Sequence, residues 1–202
     1  MKKIPTLFQR DWNGDRRNVL PTVTAGCEWV LAGEGTPTRK YDGMCAQVSD
    51  GRLFRRHEVK AGKQRPPLFL EVETDEETGN VVGWVPVEDD APADKYFCEA
   101  WAVGGPLPDG TYELIGPKVQ GNPEGSDRHR LIAHANAEVL ADAPRTFDEL
   151  GPWLHAHPFE GIVWHHPDGR MAKIKRRDFP LLTQAPPDDT KADRADSPQG
   201  GQ

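Results

Sequence analysis

Long apolar runs are missing from this 202-residue chain, and cysteine, methionine and tyrosine occur only three times each. No stretch of about 18 apolar residues exists, so no membrane-spanning helix is expected. The opening Met-Lys-Lys-Ile-Pro-Thr has basic residues but no apolar core, so it does not read as a secretory signal. Cys27, Cys45 and Cys98 are odd in number and have neither disulfide nor metal spacing. A reducing, cytoplasmic setting is the simplest expectation. His155, His157, His165 and His166 suggest zinc in print, but neighbours on a strand face opposite ways, which favours exposed or packing roles.

What is plentiful is turn residues and charge. Gly and Pro number 20 and 19, so turns are frequent and long helices few. A formal net charge of −7 argues against a general nucleic-acid coat, but its distribution is uneven. Residues 1–70 carry 13 basic against 7 acidic side chains, whereas 71–100 carry 1 against 10. The basic first stretch and the end of the chain hold the motifs below. The length suits one domain, expected over 1–184, with a Pro/Asp/Ser/Gly-rich disordered tail over 185–202.

Alternation over Met44–Val48, an Asp50-Gly51 turn and Leu53–Arg56 predict a hairpin. Strands are also expected at 81–85, 111–115 and, around Pro167-Asp168-Gly169, at 160–164 and 170–176. Leu131, Ile132, Ala135 and Val139 have helical spacing and predict a helix over 127–140. Thr146-Phe147-Asp148-Glu149 has capping-box spacing and opens a second helix through Leu154. The acidic run Glu71–Glu77 reads as a solvated loop. The tryptophans, Trp84, Trp101 and Trp153 among them, read as packing residues rather than base-stacking platforms.

Two elements carry chemistry. In Lys40-Tyr41-Asp42-Gly43 a lysine precedes an Asp-Gly turn. Its amine is a poor nucleophile at a reference pKa of about 10.4, unless nearby cations and burial favour the neutral form. Asp42 can orient the amine or help place a metal, and Gly43 permits a close backbone turn. In the second element, Glu160 precedes Gly161-Ile162-Val163-Trp164, and Lys173 and Lys175 alternate with Ile174. Strand geometry puts both lysines on one face beside the Glu160 carboxylate. Phosphoryl chemistry needs such a combination: cations for oxyanion charge and a carboxylate for a bridging metal. Glu113, on a short strand, can accept from a ribose hydroxyl. Of Arg55 and Arg56, strand alternation allows only one to reach a nucleotide.

In this order the segments resemble the covalent nucleotidyltransferase superfamily of ATP-dependent ligases and capping enzymes. Lys40-Tyr41-Asp42-Gly43 looks like its KxDG nucleophile motif. Leu53-Phe54-Arg55-Arg56 falls at its arginine-bearing segment, Tyr112–Gly116 at its third motif, Glu160–Trp164 at its fourth and Lys173-Ile174-Lys175 at its fifth. Arg55–Lys60 and Gly116–Pro123 look most like small stand-alone 5′–3′ RNA ligases. Arg39 departs from the pattern, since many relatives are acidic there. The aromatic that stacks on adenine is not obvious; His134 is favoured over Phe147.

The resemblance implies an α+β fold with mainly antiparallel sheets enclosing a nucleotide cleft and helices outside. It implies that Lys40 attacks the α-phosphate of ATP and carries AMP. AMP then passes to an RNA 5′-phosphate, and a 3′-hydroxyl seals the strand. Lys173 and Lys175 would steady the phosphate, and Glu160 with Asp42 would hold Mg²⁺ or Mn²⁺. Arg39, Asp42, Gly43, Arg55, Arg56, Glu113 and His134 would complete the nucleotide site. Too few residues follow Asp178 for the oligonucleotide-binding domain usual in DNA ligases and capping enzymes. RNA ends are the expected partners of a monomer. A DNA ligase, an RNA guanylyltransferase and a non-catalytic nucleotide- or RNA-binding module are the alternatives.

Overall fold

A computed structural model describes residues 1–179. The tail expected over 185–202 lies outside the described residues.

Two antiparallel sheets dominate. The smaller one has three strands in the order β11 (Met171–Lys175), β10 (Gly161–His165), β3 (Thr36–Lys40). The larger has six in the order β6 (Leu70–Thr74), β7 (Val81–Pro86), β5 (Arg52–Val59), β4 (Met44–Ser49), β8 (Gly110–Ile115), β9 (Arg130–Ala133). β1 (Phe8–Arg10) and β2 (Val19–Val23) form a separate ribbon. The helices α1 (Glu28–Leu31), α2 (Lys95–Gly104) and α3 (Phe147–His155) are short. This is the expected α+β architecture.

Each sheet has one apolar face and one polar face, because side chains alternate along a strand. In the small sheet Ile162, Trp164, Ala172 and Ile174 are fully buried and pack with Leu150 and Leu154 of α3. In the large sheet Ala46, Val48, Tyr112 and Leu114 pack with Phe97 and Ala100 of α2. The faces not used for these two cores are left to line a cleft. They carry Thr38, Lys40, Val163 and Lys173 from the small sheet, and Cys45, Arg56, Thr111 and Glu113 from the large one.

Both predicted hairpins form, as does the helix after Thr146. There the Thr146 hydroxyl donates to the Glu149 carboxylate at 2.6 Å rather than capping a backbone N–H. The helix predicted over 127–140 does not form. Residues 130–133 pair antiparallel with β8 as an edge strand, with Glu113 opposite Ile132, and only His134–Asn136 makes a 3₁₀ turn. Apolar positions this few fit either period, and the unpaired edge of β8 decided for a strand. The acidic run is likewise not all loop. Leu70–Thr74 pairs with β7, and only the residues after it form the turn. Charged side chains are characteristic of such an exposed sheet edge.

Candidate active site

The register of the small sheet assembles the catalytic candidates. Gly161 lies opposite Lys40 on one side and opposite Lys175 on the other. Lys40, Gly161 and Lys175 thus form one cross-strand row, and Thr38, Val163 and Lys173 form the row two residues along. Ile174, between the lysines, turns into the core with no exposure. Lys173 and Lys175 therefore share a face, as strand alternation requires.

Gly161 has no side chain to fill its place in the row. A Cβ there would sit 2.1 Å from the Ile174 carbonyl oxygen, so only glycine admits this close pairing. The Glu160 carboxylate reaches both lysines. One oxygen lies 2.5 Å from the Lys40 Nζ, and the other takes the Lys175 ammonium. Lys40 Nζ also donates to the Tyr41 carbonyl at 3.3 Å.

The charges in this cluster shift one another. Burial alone would raise the Glu160 pKa, but the ammonium groups of Lys40 and Lys175 outweigh it and hold the carboxyl below its ordinary range. Lys173 is pushed down to about 8, by burial first and then by the charges of Lys175 and Lys40. Burial and the surrounding like charge thus both favour the neutral form of Lys173. The Asp42 carboxyl is raised by burial and by Glu160, which locates it electrostatically beside that carboxylate.

The cleft measures about 850 Å³. Lys40 and Lys173 line it, as do Thr36, His165 and Met171 farther along the small sheet, whereas Glu160, Lys175 and Asp42 are not among its lining residues. On the opposite wall the Glu113 carboxylate accepts from His134 Nε2 at 3.1 Å, and the other His134 nitrogen meets the Thr111 hydroxyl at 3.0 Å. His134 thus faces the cleft, not a helix surface. Cys45 lies on the same wall, and burial followed by the Glu113 charge pushes its thiol up to about 12, so it stays protonated. Residues 1–4 border the cleft as well, and the chain just after them hydrogen-bonds to β11 through Pro5 and Leu7.

Arg55 and Arg56 part company. Arg56 lines the cleft and donates to the Met1 carbonyl at 2.6 Å. Arg55 points to the other face, where its Nε meets the buried Asp94 at 2.6 Å. As strand alternation requires, only one of the two borders the cleft, and it is Arg56 rather than Arg55. Gly43 has a different reason from the tight turn expected of it: a Cβ would lie 2.1 Å from the Leu114 carbonyl oxygen, so glycine lets the Lys40 segment press against β8.

Arg39 borders the cleft, but its guanidinium is taken by Glu124 and, at 3.5 Å, by Glu138. Its out-of-pattern charge thus has two carboxylate partners. Sequence reasoning missed Glu124, Thr38 and His165. His165 lines the cleft and meets the Thr38 hydroxyl at 3.1 Å, and its pKa is lowered by burial and by His134. Its neighbour His166 turns away to Glu34 and Trp29. The available signal for Thr38 and His165 was their even spacing from Lys40 and Val163.

Among the described residues no three His, Cys, Asp or Glu side chains gather into a metal cage. Glu160 and Asp42 still suit Mg²⁺, which commonly takes one or two carboxylates and completes its shell with water and substrate phosphate. No helix of the described residues is long and apolar enough to cross a membrane.

Three ammonium groups, those of Lys40, Lys173 and Lys175, gather around one carboxylate and leave an excess of positive charge beside the cleft. A family model described as RNA ligase 1 matches residues 102–194, which include Glu113, His134, Glu160, Lys173 and Lys175 and begin beyond Lys40. The chain is 29% identical to RNA ligase 1 of Pongo abelii over 145 residues, covering 55% of this chain and 44% of that protein. It is 28% identical to RNA ligase 1 of Danio rerio over 141 residues, covering 52% and 42%. It is 29% identical to the Mus musculus protein over 143 residues, covering 55% and 44%. The matched region thus spans less than half the length of these relatives. An RNA ligase family is the one that both the sequence motifs and the comparisons support.

Proposed function

We propose that this protein is an ATP-dependent RNA ligase that works through a lysyl-AMP intermediate on Lys40. The observation that carries the reading is the row Lys40–Gly161–Lys175, bridged by Glu160, whose Lys40 lines a nucleotide-sized cleft. Its volume falls within the range of roughly 300–1,000 Å³ common for ligand pockets. The similarity to RNA ligase 1 proteins supports RNA as the substrate.

In this reading the Lys40 ammonium first gives up a proton to solvent. The neutral amine attacks the α-phosphorus, and an N–P bond forms as the bond to the β-phosphate oxygen breaks. Pyrophosphate leaves, and the nitrogen sheds a second proton. Lys173 and Lys175, on the same face, balance the charge that collects on the α-phosphate oxygens. Glu113 and His134, on the opposite wall, hold the ribose and base. A divalent cation, with Glu160 and Asp42 as its protein ligands, would supply further neutralisation of phosphate charge. An RNA 5′-phosphate oxygen then takes AMP from Lys40, and as the N–P bond breaks the nitrogen takes up a proton from solvent and the amine is restored. A 3′-hydroxyl finally attacks the RNA 5′-phosphorus, loses its proton and expels AMP.

The test is incubation with α-labelled ATP and Mg²⁺ or Mn²⁺. Label should remain on the chain through alkaline denaturation, be released by acid as a phosphoramidate N–P bond requires, and be absent from Lys40→Ala. Absence of labelling from wild type across metals and pH would sink the reading. Preference for GTP would instead indicate a guanylyltransferase. Sealing of nicked DNA in place of RNA would indicate a DNA ligase.

A further inference from the structure

We propose that Glu124 is a positioning residue for Lys40, fixing the chain on both sides of the lysine from the loop between β8 and β9. For the reaction it serves, this rests on the ligase reading above. The Glu124 side chain is only 4% exposed. One carboxylate oxygen accepts the Asp42 backbone N–H at 2.9 Å, and the other takes the Arg39 guanidinium. Arg39 is one residue before Lys40 and Asp42 two residues after it.

The reach of this carboxylate goes further through Arg39. That guanidinium lies 4.9 Å from the Tyr41 ring centroid and 5.5 Å from that of Phe159, the residue before Glu160. One buried anion therefore anchors a cation that packs against the neighbours of both Lys40 and its partner carboxylate. Charge-assisted bonds of this kind are strong and directional, and a buried carboxylate keeps them only if its partners stay in place.

The loop that presents Glu124 is itself tied down. Val119 is buried in the large-sheet core. Asn122 exchanges two hydrogen bonds with Ser126, accepting its N–H at 2.9 Å and donating to its carbonyl at 3.1 Å. Glu124 sits between these two residues. It does not border the cleft, so its influence on the reaction passes through Arg39 and the Asp42 backbone. Placement of a nucleophile acts on the chemical step, because misplacement by even an ångström costs rate rather than affinity.

Glu124→Gln keeps the shape and an acceptor for the Asp42 N–H but loses the charge facing Arg39. Glu124→Ala removes both. At saturating ATP, lysyl-AMP formation should slow by about tenfold in the first and on the order of a hundredfold in the second, with the KM for ATP held within about twofold. A second readout needs no nucleotide. Acylation of lysines by an amine-directed ester, mapped by mass spectrometry, should show a changed ratio of Lys40 to Lys175 modification in both variants. The exposed-site control Asp148→Asn should not show it. A raised KM with an unchanged maximal rate would overturn the proposal, as would an unchanged rate and acylation ratio. Failure of both variants to fold would also overturn it, by making Glu124 a stability residue. If wild type forms no lysyl-AMP yet the acylation ratio shifts, the positioning role stands and the ligase reading falls.

Discussion

Lys40 and Lys175 stand on opposite flanks of Gly161, in one cross-strand row, and share the carboxylate of the residue just before it. Two ammonium groups are held near each other only because Glu160 lies between them. The backbone of β10 can pass between their strands because residue 161 has no side chain.

Gly161→Ala should therefore disturb both fold and site. The added methyl meets the Ile174 carbonyl, and β11 must shift to relieve it. We expect a loss of about 1–3 kcal/mol in chemical denaturation, typical of overpacking. Self-labelling with ATP should fall more than the unfolded fraction explains.

Glu160→Gln removes the anion between two cations. Leaving buried charge uncompensated commonly costs about 3–5 kcal/mol. The pH dependence has a definite sign. The folded carboxyl titrates below its ordinary value of 4.5, so its stabilisation is fully present above that pH and lost as pH falls through the lower folded value. Wild type should show this acid limb in equilibrium unfolding, and the Gln variant should lack it.

Lys173 gives a limb at the alkaline end. Its pKa drops from 10.5 to about 8, so the folded state releases a proton before the unfolded state does. Stability should rise with pH from about 8 toward 10.5, the contribution being absent below the folded value. Lys173→Met should flatten that rise. ATP binding by calorimetry should weaken as pH climbs past 8 in wild type, where the ammonium is lost, and not in the variant.

The two arginines of β5 should separate cleanly. Arg55→Ala strips the buried Asp94 of its partner, at about 3–5 kcal/mol, while ATP labelling of the folded fraction is retained. Arg56→Ala should leave the melting temperature nearly unchanged and raise the KM for ATP. Labelling kinetics with a melt of each variant checks both. Loss of labelling in folded Arg55→Ala would put that residue back in the site.

Much of the fold was legible because its signals are local. Asp50-Gly51 and Pro167-Asp168-Gly169 mark turns, and alternation around them marks strands. The shared face of Lys173 and Lys175 followed from strand period alone. The helix expected over 127–140 failed because a few apolar positions fit two periods, and only the free edge of β8 could choose between them. Choosing Arg56 over Arg55 needed to know which face of β5 meets α2. Glu124 gave no signal of its own. Its meaning depends on a contact 85 residues away with Arg39.

The sequence by itself determined the residue types of the site, their order and the strand periodicity that sorts them into faces. Backbone geometry makes those consequences unavoidable once a segment is a strand. Only the tertiary structure decided the row that joins Lys40, Gly161 and Lys175 and the carboxylate that divides its charge between two lysines. It alone decided, too, the buried Glu124 carboxylate that meets Arg39 and the Asp42 backbone on either side of Lys40. Those depend on register and burial, through which residues far apart in the chain come to share one partly buried, charged space.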